Sequence, residues 1–335
     1  MKIGIMSFAH HHAEGYIQNL KQVPGVEVMG IADQDEKRAC QYSASFGVPL
    51  FHSYENLLQA KPDGVIVTSE NNHHRALVEM AASHKIHVLC EKPIATTLED
   101  GKAMMDECEK AGIILMTAFP MRFSTPVMEV KSKLDAGDFG KVLCFNSTNQ
   151  GELPKKYRNW FVDKKLAGGG AIMDHTVHMA DILRWFLQSE AVEVYACANQ
   201  IFYKNDVPAD IETGGLVSIT FANGVFATID CSWCRPVNWP TWGGLTFEMV
   251  TERGAVIVDA FKQNLNVFRK DLPQPVWNFW GSDPNFGIVS EFAAAIRQNR
   301  EPSVTGLDGY RAIEIALAAY QSIQTGQPVK LQVEK

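Results

Sequence analysis

From Lys2 to Met116, short apolar runs alternate with amphipathic stretches at a regular interval. Ile3 to Met6, Val26 to Ala32, Leu50-Phe51, Gly64 to Thr68, His87 to Cys90 and Ile113 to Met116 read as strands. Between them the apolar positions recur at helical spacing over Ala13 to Val23, Glu36 to Phe46, Tyr54 to Ala60, His73 to Ser83 and Leu98 to Ala111. Strands that are apolar on both faces and separated by helices predict a parallel sheet covered on both sides, the doubly wound or Rossmann arrangement.

After residue 120 the pattern changes. A helix over Pro126 to Ala136 leads into a strand, Lys141 to Thr148, then a long loop and a helix over Ala171 to Leu187. Strands then follow one another without helices: Val192 to Phe202, Thr213 to Phe221, Gly224 to Trp233, Leu245 to Thr251, Ala255 to Asp259 and Asn264 to Arg269. Asn223-Gly224 between two of them is a hairpin signal. Helices return at Asn285 to Asn299 and Gly306 to Thr325. The reading is an α/β Rossmann domain over 1–120 and an α+β domain over 121–335 built on a large, open, mostly antiparallel sheet. The terminal helix is expected to pack back on the first domain, with a ligand cleft between the two.

Composition narrows the function. With 46% hydrophobic and 21% charged residues in 335, the chain is an ordinary globular protein. A net charge of -7 argues against nucleic acid, which is held by excess Lys and Arg. No signal peptide and no long apolar run is read, so a cytoplasmic protein without a membrane partner is expected. Seven scattered cysteines fit reduced, mostly buried thiols. Cys231 and Cys234 fall at a strand end, where an offset of three sends side chains to opposite faces, so neither zinc nor redox chemistry is expected there.

Three places carry candidate chemistry. The first strand runs into Ser7-Phe8-Ala9-His10-His11-His12, where a dinucleotide's phosphate turn belongs, although such turns normally use glycine. Asp33 ends the second strand, as an acceptor for ribose hydroxyls or as a plain turn carboxylate; Gln34 and Asp35 beside it add no cation for a 2′-phosphate, which favours NAD over NADP. Glu91-Lys92-Pro93 follows a buried strand, and Pro93 holds Lys92 extended at the sheet edge that binds ligands. Beyond Gly168-Gly169-Gly170, Asp174, His178 and Asp181 share one helical face, a base with carboxylates to orient it. His175 and His178 lack H-x-x-x-H or H-E-x-x-H spacing, and no metal is expected.

Together these stretches resemble the Gfo/Idh/MocA family, named for glucose-fructose oxidoreductase and inositol dehydrogenase, over nearly the whole chain. "HVLCEKPIATT" is similar to the family's lysine motif, "TSENNHHRALVEMA" to the loop and helix before it, and "LAGGGAIMDHTVHMADILRW" to the entry of its catalytic helix. "AFPMRFSTPVMEVKSKLDAGDFGKV" resembles the crossover and "EPSVTGLDGYRAIEIALAAYQSIQTGQPVKL" the terminal helix.

The resemblance implies bound NAD, with NADP less favoured, dehydrogenation of a sugar, inositol or related polyol, and homodimers or homotetramers. It implies Lys92, Asp174 and His178 as the catalytic set. His178 would accept the hydroxyl proton as hydride leaves for the nicotinamide, while Lys92 stabilises the alkoxide and Asp174 fixes the substrate or imidazole. Cofactor contacts are expected from Ser7, Phe8, Ala9, His10, His11, Asp33, Thr68, Asn71, His74, Glu91, Lys92 and Arg122. Substrate contacts are expected from Lys92, Asp174, His175 and His178; Tyr157, Arg158 and Trp160, in the loop ahead of the glycines, either contact the substrate too or serve ordinary loop packing.

The chain departs from the family in places. Its first turn is about three residues short, with His12-Ala13-Glu14 matching the end of the family pattern. Glu70 stands where proline is usual, and His175 where an apolar residue is more common. His10 and His11 are either solvent-facing residues at a helix start or part of the cleft lining. Two other activities use the same residues: an NAD-retaining redox-cycling glycosidase or lyase, and an inactive NAD-binding sensor.

Overall fold

The computed structural model describes residues 1–335 apart from 242, 268–269, 272–275, 280 and 333–335. The chain forms two compact units. The first comprises Met1–Pro120, Tyr157–Gly168 and Pro284–Ile313; the second comprises Met121–Lys156, Gly169–Asp283 and Glu314–Lys335.

The first unit holds six parallel strands, β1 (Lys2–Met6), β2 (Glu27–Ala32), β3 (Leu50–Phe51), β4 (Gly64–Val67), β5 (His87–Cys90) and β6 (Leu115–Thr117). Their order is β3-β2-β1-β4-β5-β6, the doubly wound order, in which the chain reverses direction across the sheet between β1 and β4. Helices α1 (His12–Leu20), α2 (Glu36–Phe46), α3 (Tyr54–Gln59), α4 (His74–Ser83) and α5 (Leu98–Ala111) make the crossovers. Their ends follow local rules. Asp35 caps α2 by accepting from the Arg38 amide, Thr97 caps α5 from Asp100, and Gly47 and Gly112 close the two helices in left-handed geometry. α9 (Pro284–Gln298) packs by α1. Gly64 lets it approach β4, since a Cβ there would lie 2.9 Å from the Phe292 ring.

In the second unit, α6 (Thr125–Asp135) and α8 (Ala171–Leu187) accompany a seven-stranded sheet; the short α7 (Lys164–Ala167) precedes α8 and belongs to the first unit. The strands are β7 (Val142–Gly151), β8 (Ala191–Asn199), β9 (Gly214–Phe221), β10 (Phe226–Asp230), β11 (Gly243–Thr251), β12 (Gly254–Asp259) and β15 (Val329–Lys330). Their order is β12-β11-β7-β10-β9-β8-β15, antiparallel except where β10 runs parallel to β7. α8 lies on β7, β9 and β10, and its Phe186 packs on Phe145 and Phe247 of the sheet, the Phe247 ring edge to face with both. α10 (Gly306–Thr325) runs from the first unit into the second.

Asn223-Gly224 turns β9 into β10, with Gly224 at φ +87° and its amide donating to Phe221 O at 2.9 Å. The tenth strand ends at Asp230, short of Trp233: the Ser232 amide turns to Asp230 Oδ1, while those of Cys231 and Trp233 still donate to Gly215 O and Thr213 O. The strand read from Val192 ends at Asn199, and the chain from Ile201 turns away. β13 (Asn264–Val267) pairs antiparallel with β14 (Val276–Phe279), a strand the hydrophobic pattern did not reveal. The last two positions read into β13, 268 and 269, lie outside the described residues. All seven cysteines are free, but only Cys90, Cys108 and Cys231 are buried, fewer than the sequence reading expected.

Candidate functional site

The turn after β1 is closed upon itself. Ser7 adopts φ +76°, a left-handed conformation that glycine takes without strain. Its amide donates to Ala32 O, that of Phe8 to Asp33 Oδ2 at 2.6 Å, that of Ala9 to Ser7 Oγ at 3.1 Å and that of His10 to Thr68 O at 2.9 Å. The His12 amide donates to His10 Nδ1 at 3.2 Å, which places the His10 proton on Nε2. Ser7, Phe8, Ala9 and His10 are all buried. Trp160 donates its indole N–H to Ala9 O at 3.0 Å, Tyr157 stacks on His11, and Phe161 meets His10 edge-on. The small residue at 9 does admit a close neighbour, but the neighbour is this chain's own segment at Trp160, Phe161 and Ala167.

Asp33 is saturated. It accepts from the Phe8 and Asp35 amides and, bidentately, from Arg38 Nε and Nη2, both at 2.7 Å. The cation that is missing at 34 and 35 arrives from one turn into α2. Beside this pair lies a cavity of about 510 Å³, lined by Asp33, Gln34, Glu36, Leu50, Tyr54 and Met80 among others. Burial, with Asp33 nearby, pushes the Tyr54 hydroxyl up to about 12.

Past β5, Glu91 and Lys92 are buried. Glu91 Oε1 receives the Tyr16 hydroxyl at 2.5 Å and stands 3.0 Å from His12 Nδ1, while Oε2 receives the Lys92 amide at 2.9 Å. Burial raises the Glu91 carboxyl, but His12, Tyr16 and Lys92 outweigh it and hold the group below its usual value, so it is ionised at neutral pH. His10 is pushed well below the ordinary imidazole value by burial and by His12, His11 and Lys92, and stays neutral. His10, His12 and Glu91 offer ligand atoms within 4.8 Å of one another, a spacing a metal ion could use. Those atoms are instead committed to the Tyr16 hydroxyl and the His12 backbone and ring, a proton-sharing network.

Two acceptors nearby stand open. Asn71 gives its amide N–H to Ala167 O at 2.8 Å, and His74 Nδ1 lies 3.1 Å from Pro93 O and 3.2 Å from Ile94 O. The buried Asn71 Oδ1 and His74 Nε2 then have no hydrogen-bond partner among the described residues. Orphan acceptors of this kind await donors such as sugar hydroxyls or a carboxamide. These acceptors and the cavity by Asp33 fit the two ends of a dinucleotide; the amides of the turn do not serve its middle.

In the second unit Gly169 and Gly170 have a structural cause. Glu212 Oε1 accepts from the Gly170 and Ile172 amides at 3.0 Å each and from the Tyr320 hydroxyl at 2.7 Å. A Cβ on Gly170 would lie 2.1 Å from Glu212 O, and one on Gly169 1.9 Å from the Tyr320 hydroxyl. The carboxylate thereby caps the N-terminus of α8, where the helix dipole favours it. One turn on, Asp174 Oδ2 accepts from Trp233 Nε1 at 3.0 Å and lies 3.3 Å from His175 Nε2. His178 is buried on the same helix. Asp181 is also buried and binds Arg122 through both oxygens, at 2.8 and 2.5 Å, with the guanidinium 5.2 Å from the Trp185 ring centre. Arg122, expected to touch a ligand, is thus half of a buried ion pair in the second unit.

The expected residues divide by unit. Ser7, Phe8, Ala9, His10, His11, Asp33, Thr68, Asn71, His74, Glu91, Lys92, Tyr157, Arg158 and Trp160 belong to the first, and Arg122, Asp174, His175 and His178 to the second. Sequence reasoning did not single out Arg38, Tyr16, Glu212, Tyr320 or Trp233. Only Arg38, one turn from Asp33, was within reach of a local argument.

Residues 3–119 match the family described as "Oxidoreductase family, NAD-binding Rossmann fold", and residues 127–257 match the "GFO/IDH/MocA C-terminal domain". A myo-inositol 2-dehydrogenase of Thermotoga maritima is 27% identical, over 99% of this chain and 99% of its own. A D-xylose 1-dehydrogenase (NADP(+)) 2 of Haloferax volcanii is 29% identical over 91% and 92%. The solved scyllo-inositol dehydrogenase of Lactobacillus casei, with bound NAD(H) and scyllo-inositol, superposes with a TM-score of 0.84 at 19% identity, covering 98% of each chain.

Proposed function

The chain belongs to the Gfo/Idh/MocA oxidoreductases, an NAD-binding family, and on that premise we propose that it transfers a hydride between NAD and a secondary CH–OH carbon of a sugar, inositol or related polyol. One observation carries the reading. At the end of β5, Lys92 is buried beside an ionised Glu91, and the buried acceptors Asn71 Oδ1 and His74 Nε2 stand open to donors. A ligand rich in hydroxyl and amide donors answers that need. The related dehydrogenases act on such molecules by their names.

When bound, NAD supplies the hydride acceptor, and the chain's own residues handle position and proton. Asn71 and His74 would hold one of its ends, and the cavity beside the Asp33–Arg38 pair the other. Lys92 stabilises charge on the substrate oxygen. His178 takes the hydroxyl proton, and Asp174, anchored by Trp233, orients the ring or the substrate. Tyr157, Trp160 and His175 are proposed as further polyol contacts.

A cytoplasmic homodimer or homotetramer without nucleic-acid or membrane partners completes the proposal. The net charge of -7 supports it, as do exposed apolar residues on the large sheet, among them Leu216, Phe226 and Ile257. Among the described residues no helix is long and apolar enough to cross a membrane. The test is NADH formation across inositols, aldoses and anhydrosugars with both NAD and NADP. Turnover of at least one is expected, and inertness towards all with no cofactor bound contradicts the reading.

A further inference from the structure

The first turn cannot meet a dinucleotide's diphosphate in the ordinary way. Backbone amides normally cradle that group, yet those of Ser7, Phe8, Ala9, His10 and His12 all have partners within the first unit. The next two, Ala13 and Glu14, donate to the carbonyls of His10 and His11. A doubly charged group placed there would meet amides that are mostly committed elsewhere, and would lose its hydration for little gain.

Besides Arg38, which is bound to Asp33, two cations among the described residues stand by the turn. Lys92 is one, close enough to His10 to depress its basicity, and it is already assigned to the substrate oxygen. Arg158 is the other. Its Nη2 lies 3.5 Å from Phe8 O and 2.8 Å from the Tyr42 hydroxyl, and 3.4 Å from Glu14 Oε1; Nη1 donates to the carbonyl of Tyr157 at 2.9 Å. Its Nε is buried with no hydrogen-bond partner among the described residues. The guanidinium is therefore carried to the turn by a segment that folds onto it through Trp160 and Tyr157, and it retains an unused donor.

We propose that Arg158 replaces the backbone amides of the turn as the partner of the cofactor's diphosphate. Sequence reasoning had placed this residue with the substrate. A planar fork of N–H donors suits phosphate oxygens, and the contacts to Glu14 and Phe8 O are long enough to be exchanged for them. Glu14, about two-fifths exposed, then competes with the diphosphate for the same guanidinium. The assignment rests on the chain binding a dinucleotide, as proposed above.

The test separates the diphosphate from the rest of the ligand. Calorimetric affinities of adenosine and ADP-ribose are measured for the wild type, Arg158→Met and Glu14→Gln. In the wild type ADP-ribose should bind at least a hundredfold more tightly than adenosine. Arg158→Met should remove most of that ratio while leaving the adenosine affinity within twofold, and Glu14→Gln should raise the ratio. A ratio that survives Arg158→Met overturns the assignment but not the oxidoreductase reading. Equal loss for both ligands, with an unchanged melting temperature, also overturns it. Failure of the wild type to bind ADP-ribose or NADH at all removes this assignment and the cofactor reading together.

Discussion

Glu212 closes the start of α8 from 42 residues away, its Oε1 accepting the Gly170 amide at 3.0 Å while its own carbonyl leaves no room for a Cβ there. The helix that carries Asp174 and His178 is therefore set in place by a side chain outside the glycine motif.

Gly170→Ala should destabilise the protein by about 1–3 kcal/mol, the usual cost of overpacking. Glu212→Ala should cost about 1–3 kcal/mol by stranding the Ile172 amide and the Tyr320 hydroxyl, while the Gly170 amide keeps Tyr320 as acceptor. Denaturant melts check both. Losses below 0.5 kcal/mol would show that the cap does not hold the helix.

Arg38 neutralises Asp33, so the carboxylate no longer repels a 2′-phosphate as an isolated acid would. NADPH should therefore bind within about tenfold of NADH, a difference of about 1.4 kcal/mol. Arg38→Met, which leaves Asp33 bare, should lower the NADPH/NADH affinity ratio by at least another tenfold. An unchanged ratio in the variant would remove Arg38 from cofactor selection.

How much of this could be read from the chain follows from where each interaction's partners lie. The strands Gly64–Val67 and His87–Cys90 and the helix at Ala171 stand out because burial on both faces, or on one, writes itself into local periodicity. Lys92, Asp174 and His178 stand out because motif and element coincide. Trp160 with Ala9 and Gly170 with Tyr320 are 151 and 150 residues apart, and no local pattern announces them. The glycines at 168–170 were legible as a close approach, though not what approached. Arg38 lies beyond the positions adjacent to Asp33 in the chain, and only the start of α2 brings the fifth residue back to it.

His10 and His74 are both held neutral, below the ordinary imidazole value, chiefly by burial. Unfolding frees them to take up protons at about pH 6.5 and below. Stability should therefore fall as the pH drops from about 6.5 towards their folded values, at up to about 1.4 kcal/mol per pH unit for each ring. Glu91, shifted down, adds its own loss only below the ordinary carboxylate value. Melts at pH 8, 6.5 and 5.5 should show the slope, and His10→Gln or His74→Gln should flatten it. A slope identical in both variants and the wild type contradicts the assignment.

His178→Ala and Lys92→Met should each lower kcat by about 10²–10⁴-fold, the range for losing a proton acceptor or an oxyanion partner. His178→Ala should leave NADH affinity and melting temperature close to wild type. Activity within threefold of wild type in either variant would remove that residue from the chemistry.

The central claim is that hydride moves directly between a polyol carbon and NAD. It is tested most directly with inositols and aldoses deuterated at their CH–OH carbons, following the label by mass spectrometry of the nicotinamide. The account predicts that deuterium from at least one of them appears at C4 of NADH, in amounts equal to the ketone or lactone formed. Product formation with no label in the nicotinamide would contradict it.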